Sequence, residues 1–205
     1  MRVNPKLAGI WLTGWALARR TPMPVNLGDC WRVDVGWPDQ KARYVFATPS
    51  ERLPCLAAIA EPHVFLKTFL PVDAMASLLP PGWSLDPQRV MMIHETLAPA
   101  AACPARYRLQ QDGRAAEIFD GDIAVSSGQV VVEQGWAIFD SIKVDPGHRR
   151  RGLGRALMGI LAGMARDLGA RQGVLVATQE DRMLYHMLGW RDHALYASAF
   201  PSIQR

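Results

Sequence analysis

The stretch VDPGHRRRGLGRALM, residues 144–158, decides how the chain is read. It packs four arginines and three glycines beside the start of a helix. An ordinary surface loop needs no such density of positive charge, whereas a loop that holds a polyphosphate does. Upstream, residues 136–144 read as a strand. Downstream, residues 152–168 put Leu153, Leu157, Ile160, Leu161, Met164 and Leu168 on one helical face, with Gly169 as the stop. The first N–H groups of a helix have no intrahelical partner, and the helix dipole puts partial positive charge there. Gly152 and Gly154 carry no side chain, so a diphosphate can come close to those amides. Arg149, Arg150, Arg151 and Arg155 supply the neutralising charge. The loop is neither a Walker loop, which needs GxxxxGK[ST], nor a dinucleotide fingerprint, which would need glycine where Leu157 stands.

Working outward, RYRLQQ, AAEIFDGDIAVSS and QVVVEQGWAIFDSIKV read as antiparallel strands. Their turns are expected at Asp112-Gly113 and Ser127-Gly128, with a bend or bulge at Gly135. GVLVAT, residues 173–178, is a short apolar strand, residues 180–188 a helix closed by Gly189, and HALYASAF a last strand. In the first hundred residues, 30–36 and 42–47 form a hairpin around GWPDQ. Residues 51–60 form a helix capped by Ser50, residues 63–69 a strand and residues 71–79 a short helix. PQRVMMIHE fits strand or helix. Residues 7–18 are apolar and too short to span a bilayer. They read as a helix burying Leu7, Ile10, Trp11 and Leu17, although Ala16-Leu17-Ala18 also has the form of a signal-peptidase site.

Two of these stretches carry a resemblance. VDPGHRRRGLGRALM resembles the acetyl-CoA motif of the GNAT acetyltransferase superfamily, with Val144, Pro146, Arg149, Gly152 and Gly154 in register. VLVATQEDRMLYHMLGW, residues 174–190, resembles the family's second block, which ends in Tyr-x-x-x-Gly-aromatic, here Tyr185, Gly189 and Trp190. The resemblance covers roughly residues 105–200. It implies an α/β fold with a mixed, mostly antiparallel central sheet flanked by helices. It also implies a cleft between two splayed parallel strands, 136–144 and 173–178. Residues 101–205 would then be the acyl-CoA-binding core, and residues 1–100 an N-terminal extension plus the first part of the fold.

The resemblance further implies acetyl-CoA, or another acyl-CoA, as cosubstrate. Ile142, Lys143 and Val144 would run along the pantetheine arm, with the Val144 N–H polarising the thioester carbonyl. Arg149, Arg150, Arg151, Gly152, Leu153, Gly154 and Arg155 would hold the diphosphate. Thr178 stands where the family often has an asparagine, and threonine makes fewer hydrogen bonds. Tyr185 would give a proton to the departing thiolate, the alternative being a helix tyrosine packed on the core. Asp140 is the first candidate base, ahead of Glu95 and Glu133; each is equally readable as a solvated or paired surface charge.

The implied activity is acyl transfer to a primary amine on a small molecule or peptide. A non-catalytic acyl-CoA sensor would keep the same loop, and so would an anion or nucleic-acid binder. The chain has 205 residues, 49% hydrophobic and 20% charged, so a sizeable core is expected. Its net charge of +4 fits an anionic ligand but is too weak to argue for nucleic acid, and no membrane partner is expected. Three widely spaced cysteines read as reduced cytoplasmic thiols. His94-Glu95 does not extend to HExxH, and no metal is assigned. The last strand lacks the family's second hairpin strand. An N-terminal strand, or a strand from a second copy in a homodimer, is expected to cover that edge.

Overall fold

The computed structural model describes residues 3–59, 61–97 and 102–202. Along the chain run α1 (Pro5–Arg19), β1 (Val25–Asn26), β2 (Trp31–Val33), β3 (Ala42–Phe46), α2 (Arg52–Ala58), β4 (Val64–Thr68), α3 (Val72–Ala76), β5 (Trp83–Leu85) and β6 (Arg89–His94). They are followed by β7 (Arg108–Asp112), β8 (Ala115–Asp120), β9 (Ile123–Glu133), β10 (Trp136–Val144), α4 (Leu153–Asp167), β11 (Gln172–Ala177), α5 (Gln179–Met187) and β12 (Arg191–Pro201). The chain packs as two compact units. Unit 1 takes residues 1–92, 176–182 and 192–205; unit 2 takes residues 93–175 and 183–191. The fold is mixed α/β, with mostly antiparallel strand pairs, the parallel pairs β3–β4 and β10–β11, and flanking helices.

In unit 2, β7, β8, β9 and β10 form an antiparallel meander, and β11 lies parallel to β10 after the α4 crossover. The meander turns on glycines with positive φ: Gly113 (54°), Gly121 (61°) and Gly135 (79°). Ser127-Gly128 is therefore not a turn. It lies inside the unbroken strand β9, and the break comes at Asp120–Gly121. Gly128 answers to packing instead. A Cβ there would stand 2.6 Å from Ile142 Cδ1 and 3.1 Å from Leu161 Cδ1, so the glycine lets β10 and α4 close over β9.

The α4 stripe buries Leu153, Leu157, Ile160 and Leu161. Leu168 leaves it, 64% exposed, because the helix ends at Asp167 and Gly169 takes φ +86°. The Gly169 N–H donates to Arg166 and the Ala170 N–H to Ala165, which satisfies the last carbonyls.

In unit 1, β2 and β3 form the expected hairpin, and β4 lies parallel to β3 after α2. This repeats the strand–helix–strand order of β10–α4–β11. β12 pairs with β4 (Ala197↔Thr68, Ser198↔Lys67, Ala199↔Leu66) and with β5 (Ala199↔Leu85). Strands from the N-terminal half thus cover the last strand. Phe46, Leu53, Leu66, Met75, Ala197 and Ala199 share one core cluster. The short strands β1 and β5 carry too few residues to show a period and were not expected. Ser50 accepts from the Arg52 N–H at 3.0 Å, but the α2 cap position itself is Glu51.

Helix α1 starts at Pro5, with Asn4 accepting from the Lys6 N–H at 2.9 Å, and stops at Arg20 in the left-handed region. It buries Leu7, Ile10, Trp11 and Trp15, while Leu17 is half-buried. Trp11 meets Phe69 and Tyr196 edge-on. No helix among the described residues is long and apolar enough to cross a membrane.

Candidate functional site

Strand β10 is built to leave its parallel partner. Its register with β11 runs from Trp136↔Gln172 to Ile138↔Val174. Beyond that, its register with β9 shifts between Asp140 and Lys143, where Ser141 adopts φ +54°. This bulge takes Ser141 and Ile142 out of the β9 register and bends the strand. The Lys143 carbonyl accepts from Ser126 Oγ at 3.0 Å, and pairing resumes with Lys143 opposite Ser127 and Val144 opposite Ser126.

The loop that follows is tied down at its base and open at its tip. The Asp145 carboxylate accepts from the Gly147 N–H at 2.9 Å and from His148 Nδ1 at 2.9 Å. His148 Nε2 lies 3.3 Å from Asp120, which also takes Arg106 at 2.8 Å. The His148 hydrogen bond holds the Asp145 carboxyl below its ordinary range. Desolvation opposes the same effect at Asp120, but Arg106 and His148 outweigh it.

Past this base, Arg150 and Gly152 both take positive φ (63° and 80°), which turns the chain into the start of α4. Gly152 is the N-cap of α4, and no side chain caps that helix. Arg149, Arg150, Arg151 and Arg155 are exposed and form no ion pair among the described residues. An uncapped helix start flanked in sequence by four exposed arginines fits a diphosphate.

The equivalent place in unit 1 is filled. At the start of α2, Ser50 Oγ donates to the Asp29 carboxylate, and Arg52 Nε lies 3.1 Å from it. The β3–α2 connection carries neither glycine nor arginine at residues 47–51. Among the described residues the Arg/Gly loop therefore follows β10, and the β3–α2 connection has no counterpart to it.

Unit 2 brings Gly154, Val144 and Leu184 together. A Cβ at Gly154 would stand 3.0 Å from Leu184 and 3.7 Å from Val144. Tyr185, one residue on in α5, is 5% exposed and meets Trp190 edge-on at 6.0 Å. Gly189 ends α5 at φ +87°, with His94 Nε2 3.0 Å from where its Cβ would be. That nitrogen donates to the Leu188 carbonyl at 3.1 Å, leaving His94 Nδ1 buried without a protein partner. Trp190 packs edge-on against Phe139 and His94. A Cβ at Gly173 would stand 2.8 Å from the same indole. The Tyr-x-x-x-Gly-Trp spacing thus has a packing reason here beside any chemical one.

The Asp140 carboxylate is half-buried and accepts from Ser141 Oγ at 2.9 Å and Gln129 Nε2 at 3.5 Å. Glu95 is an exposed partner of Arg191, and Glu133 is half-buried. Thr178 belongs to unit 1, where it caps α5. Its hydroxyl donates to Asp181 at 2.8 Å and accepts from the Asp181 N–H at 3.2 Å.

A cavity of about 260 Å³ opens in unit 2, lined among others by Phe139, Arg155, Met158, Ala162 and Trp190. All three cysteines are free. Among the described residues no group of His, Cys, Asp and Glu could hold a metal ion.

The sequence reading missed a buried basic face in unit 1. Lys67 is 7% exposed, donates to Ser198 Oγ, and lies 4.7 Å over the Phe65 ring. Burial, with Arg43 nearby, pushes its ammonium down to about 7. Arg43, 6% exposed, stacks 3.6 Å over Trp15 and donates to Gln40 at 2.6 Å. Phe65 and Lys67 share one face of β4, with Phe69 in step just past its end, and that alternation was the available signal.

Comparison with known proteins agrees with this geometry. A family model described as "Acetyltransferase (GNAT) family" matches residues 88–190. Three solved structures share the fold. A GCN5-related N-acetyltransferase from Kribbella flavida aligns with TM-score 0.68 at 16% identity, over 98% of this chain and 96% of that one. A GCN5-related N-acetyltransferase-like protein from Streptococcus suis gives 0.61 at 10%, over 96% and 97%. A GCN5-related N-acetyltransferase from Sphaerobacter thermophilus gives 0.59 at 14%, over 86% and 79%. No curated protein matches.

Proposed function

Since the chain belongs to the GNAT acetyltransferase family, we propose that it transfers an acyl group, acetyl first among candidates, from acyl-CoA to a primary amine. The observation that carries this reading is the uncapped start of α4 behind an Arg/Gly loop whose four arginines are exposed. Such a site binds the diphosphate of coenzyme A through backbone N–H groups and charge. The parallel register of β10 with β11 ends at Ile138, which leaves the β10 backbone beyond it open to the amide-rich pantetheine arm.

In the proposed chemistry the neutral amine attacks the thioester carbonyl carbon. The new C–N bond forms, the C–S bond breaks, and the sulfur leaves as thiolate. The amine proton goes to a base, for which Asp140 or water in contact with it is the candidate. The thiolate takes its proton from Tyr185. The acceptor is a small-molecule or peptide amine.

Release of free thiol from acetyl-CoA across an amine panel tests the reading. With an accepted amine, Tyr185→Phe is expected to lower kcat by about 10²-fold, with a much smaller change in KM for acetyl-CoA. An unchanged kcat removes Tyr185 from the chemistry. Tyr185 is buried against Trp190, which gives weight to a second reading, an acyl-CoA sensor without turnover. Coenzyme binding with no thiol release from any amine would favour the sensor.

A further inference from the structure

We propose that the cavity in unit 2 receives an acyl group longer than acetyl. This rests on the coenzyme reading of the anion loop given above. The cavity holds about 260 Å³, a little under the roughly 300 Å³ at which pockets for whole small molecules begin. A methyl group would leave nearly all of it empty. Its wall includes Phe139, the first β10 residue past the parallel register with β11. It also includes Arg155, in the first turn of α4, directly after Gly154. One cavity therefore reaches both the point where the strands part and the helix start that holds the diphosphate. Met158 and Ala162 continue the wall along α4, and Trp190 stands in it with Phe139.

Apart from Arg155 and His94, the lining residues are apolar or glycine. An acyl chain entering from the splay would bury its methylenes against this surface. The thioether of Met158 can shift to fit chains of different length. Each methylene buried this way tightens binding by about four-fold at most. After the loss of chain entropy, hexanoyl-CoA is expected to bind on the order of ten-fold or more tighter than acetyl-CoA.

Isothermal titration of the full chain with CoA, acetyl-CoA and hexanoyl-CoA tests this. The expected result is hexanoyl-CoA the tightest of the three. The hexanoyl-to-acetyl ratio should collapse toward one in Ala162→Phe, which fills the cavity. Gly159→Leu, at another lining position and a better helix former than glycine, gives the same reading if Ala162→Phe does not fold. Equal affinities for the two acyl-CoAs, or a ratio that survives both substitutions, would overturn the proposal and leave the coenzyme site standing. No binding of any of the three would overturn the coenzyme reading and this one with it.

Discussion

Gly154→Val is expected to weaken coenzyme A binding by about a hundred-fold or more, with the fold retained. Each hydrogen bond from a helix-start N–H to a charged oxygen contributes about 1.5–3 kcal/mol. A branched side chain at Gly154, next to Leu184 and Val144, is expected to crowd the approach of the diphosphate to those amides. Losing two such bonds exceeds the hundred-fold mark. The cost to folding is smaller. The nearest atom to a new Cβ is Leu184 Cδ2, at 3.0 Å, the end of a side chain that can rotate away. Titration calorimetry measures the affinity, and a thermal melt checks the fold. A variant that melts like the parent and binds coenzyme A equally well would contradict the assignment.

Lys67→Met is expected to stabilise the protein at pH 6–7 by several kcal/mol and to flatten its pH dependence. The folded-state ammonium is pushed from 10.5 to about 7, chiefly by burial. At roughly 1.4 kcal/mol per unit, keeping it charged costs on the order of 5 kcal/mol. Below pH 7 both states hold the proton and the whole cost stands. Between pH 7 and 10.5 the unfolded chain binds the extra proton, so stability rises with pH.

Two other groups act in the opposite direction. Burial pushes the Cys30 thiol from 9.0 up to about 11 and the Tyr196 hydroxyl from 10.0 up to about 12. Above pH 9 and pH 10 the unfolded chain loses protons that the folded chain keeps, and stability falls. The parent should therefore gain about 2 kcal/mol between pH 7 and 9, stay level to about pH 10 while the Lys67 rise and the Cys30 fall cancel, and decline above that. The methionine variant should begin higher and stay level over that window. It forfeits about 1 kcal/mol for the hydrogen bond to Ser198. Urea unfolding at a series of pH values reads both curves. A variant less stable than the parent, with the same rise to pH 9, would show that Lys67 is held in place by something other than packing around a costly charge.

The two predictions separate what could be read along the chain from what could not. The α4 stripe, the Arg/Gly loop and the Gly169 and Gly189 stops rest on neighbours within one or two helical turns, so the sequence displayed them. Gly128 shows where local signals mislead. Ser-Gly looks like a turn, but that glycine makes room for Ile142 and Leu161, and the actual turn is the Asp-Gly seven residues earlier. The basic face of unit 1 was hidden for another reason. Lys67 meets Ser198 across 131 residues, and its burial depends on a strand that returns from the far end of the chain. The Tyr185 region was legible as a spacing, but only the structure adds why that spacing packs, through Trp190 against Phe139, His94 and Gly173.

Amide chemical shifts on ¹⁵N-labelled protein test the coenzyme site most directly. Addition of coenzyme A should move the Gly152, Leu153, Gly154 and Arg155 amide protons most, downfield and saturably, as N–H groups that lack a side-chain cap begin donating to phosphate oxygens. If coenzyme A binds and these four signals stay still while others move, or if nothing moves at all, the diphosphate is not held by the start of α4.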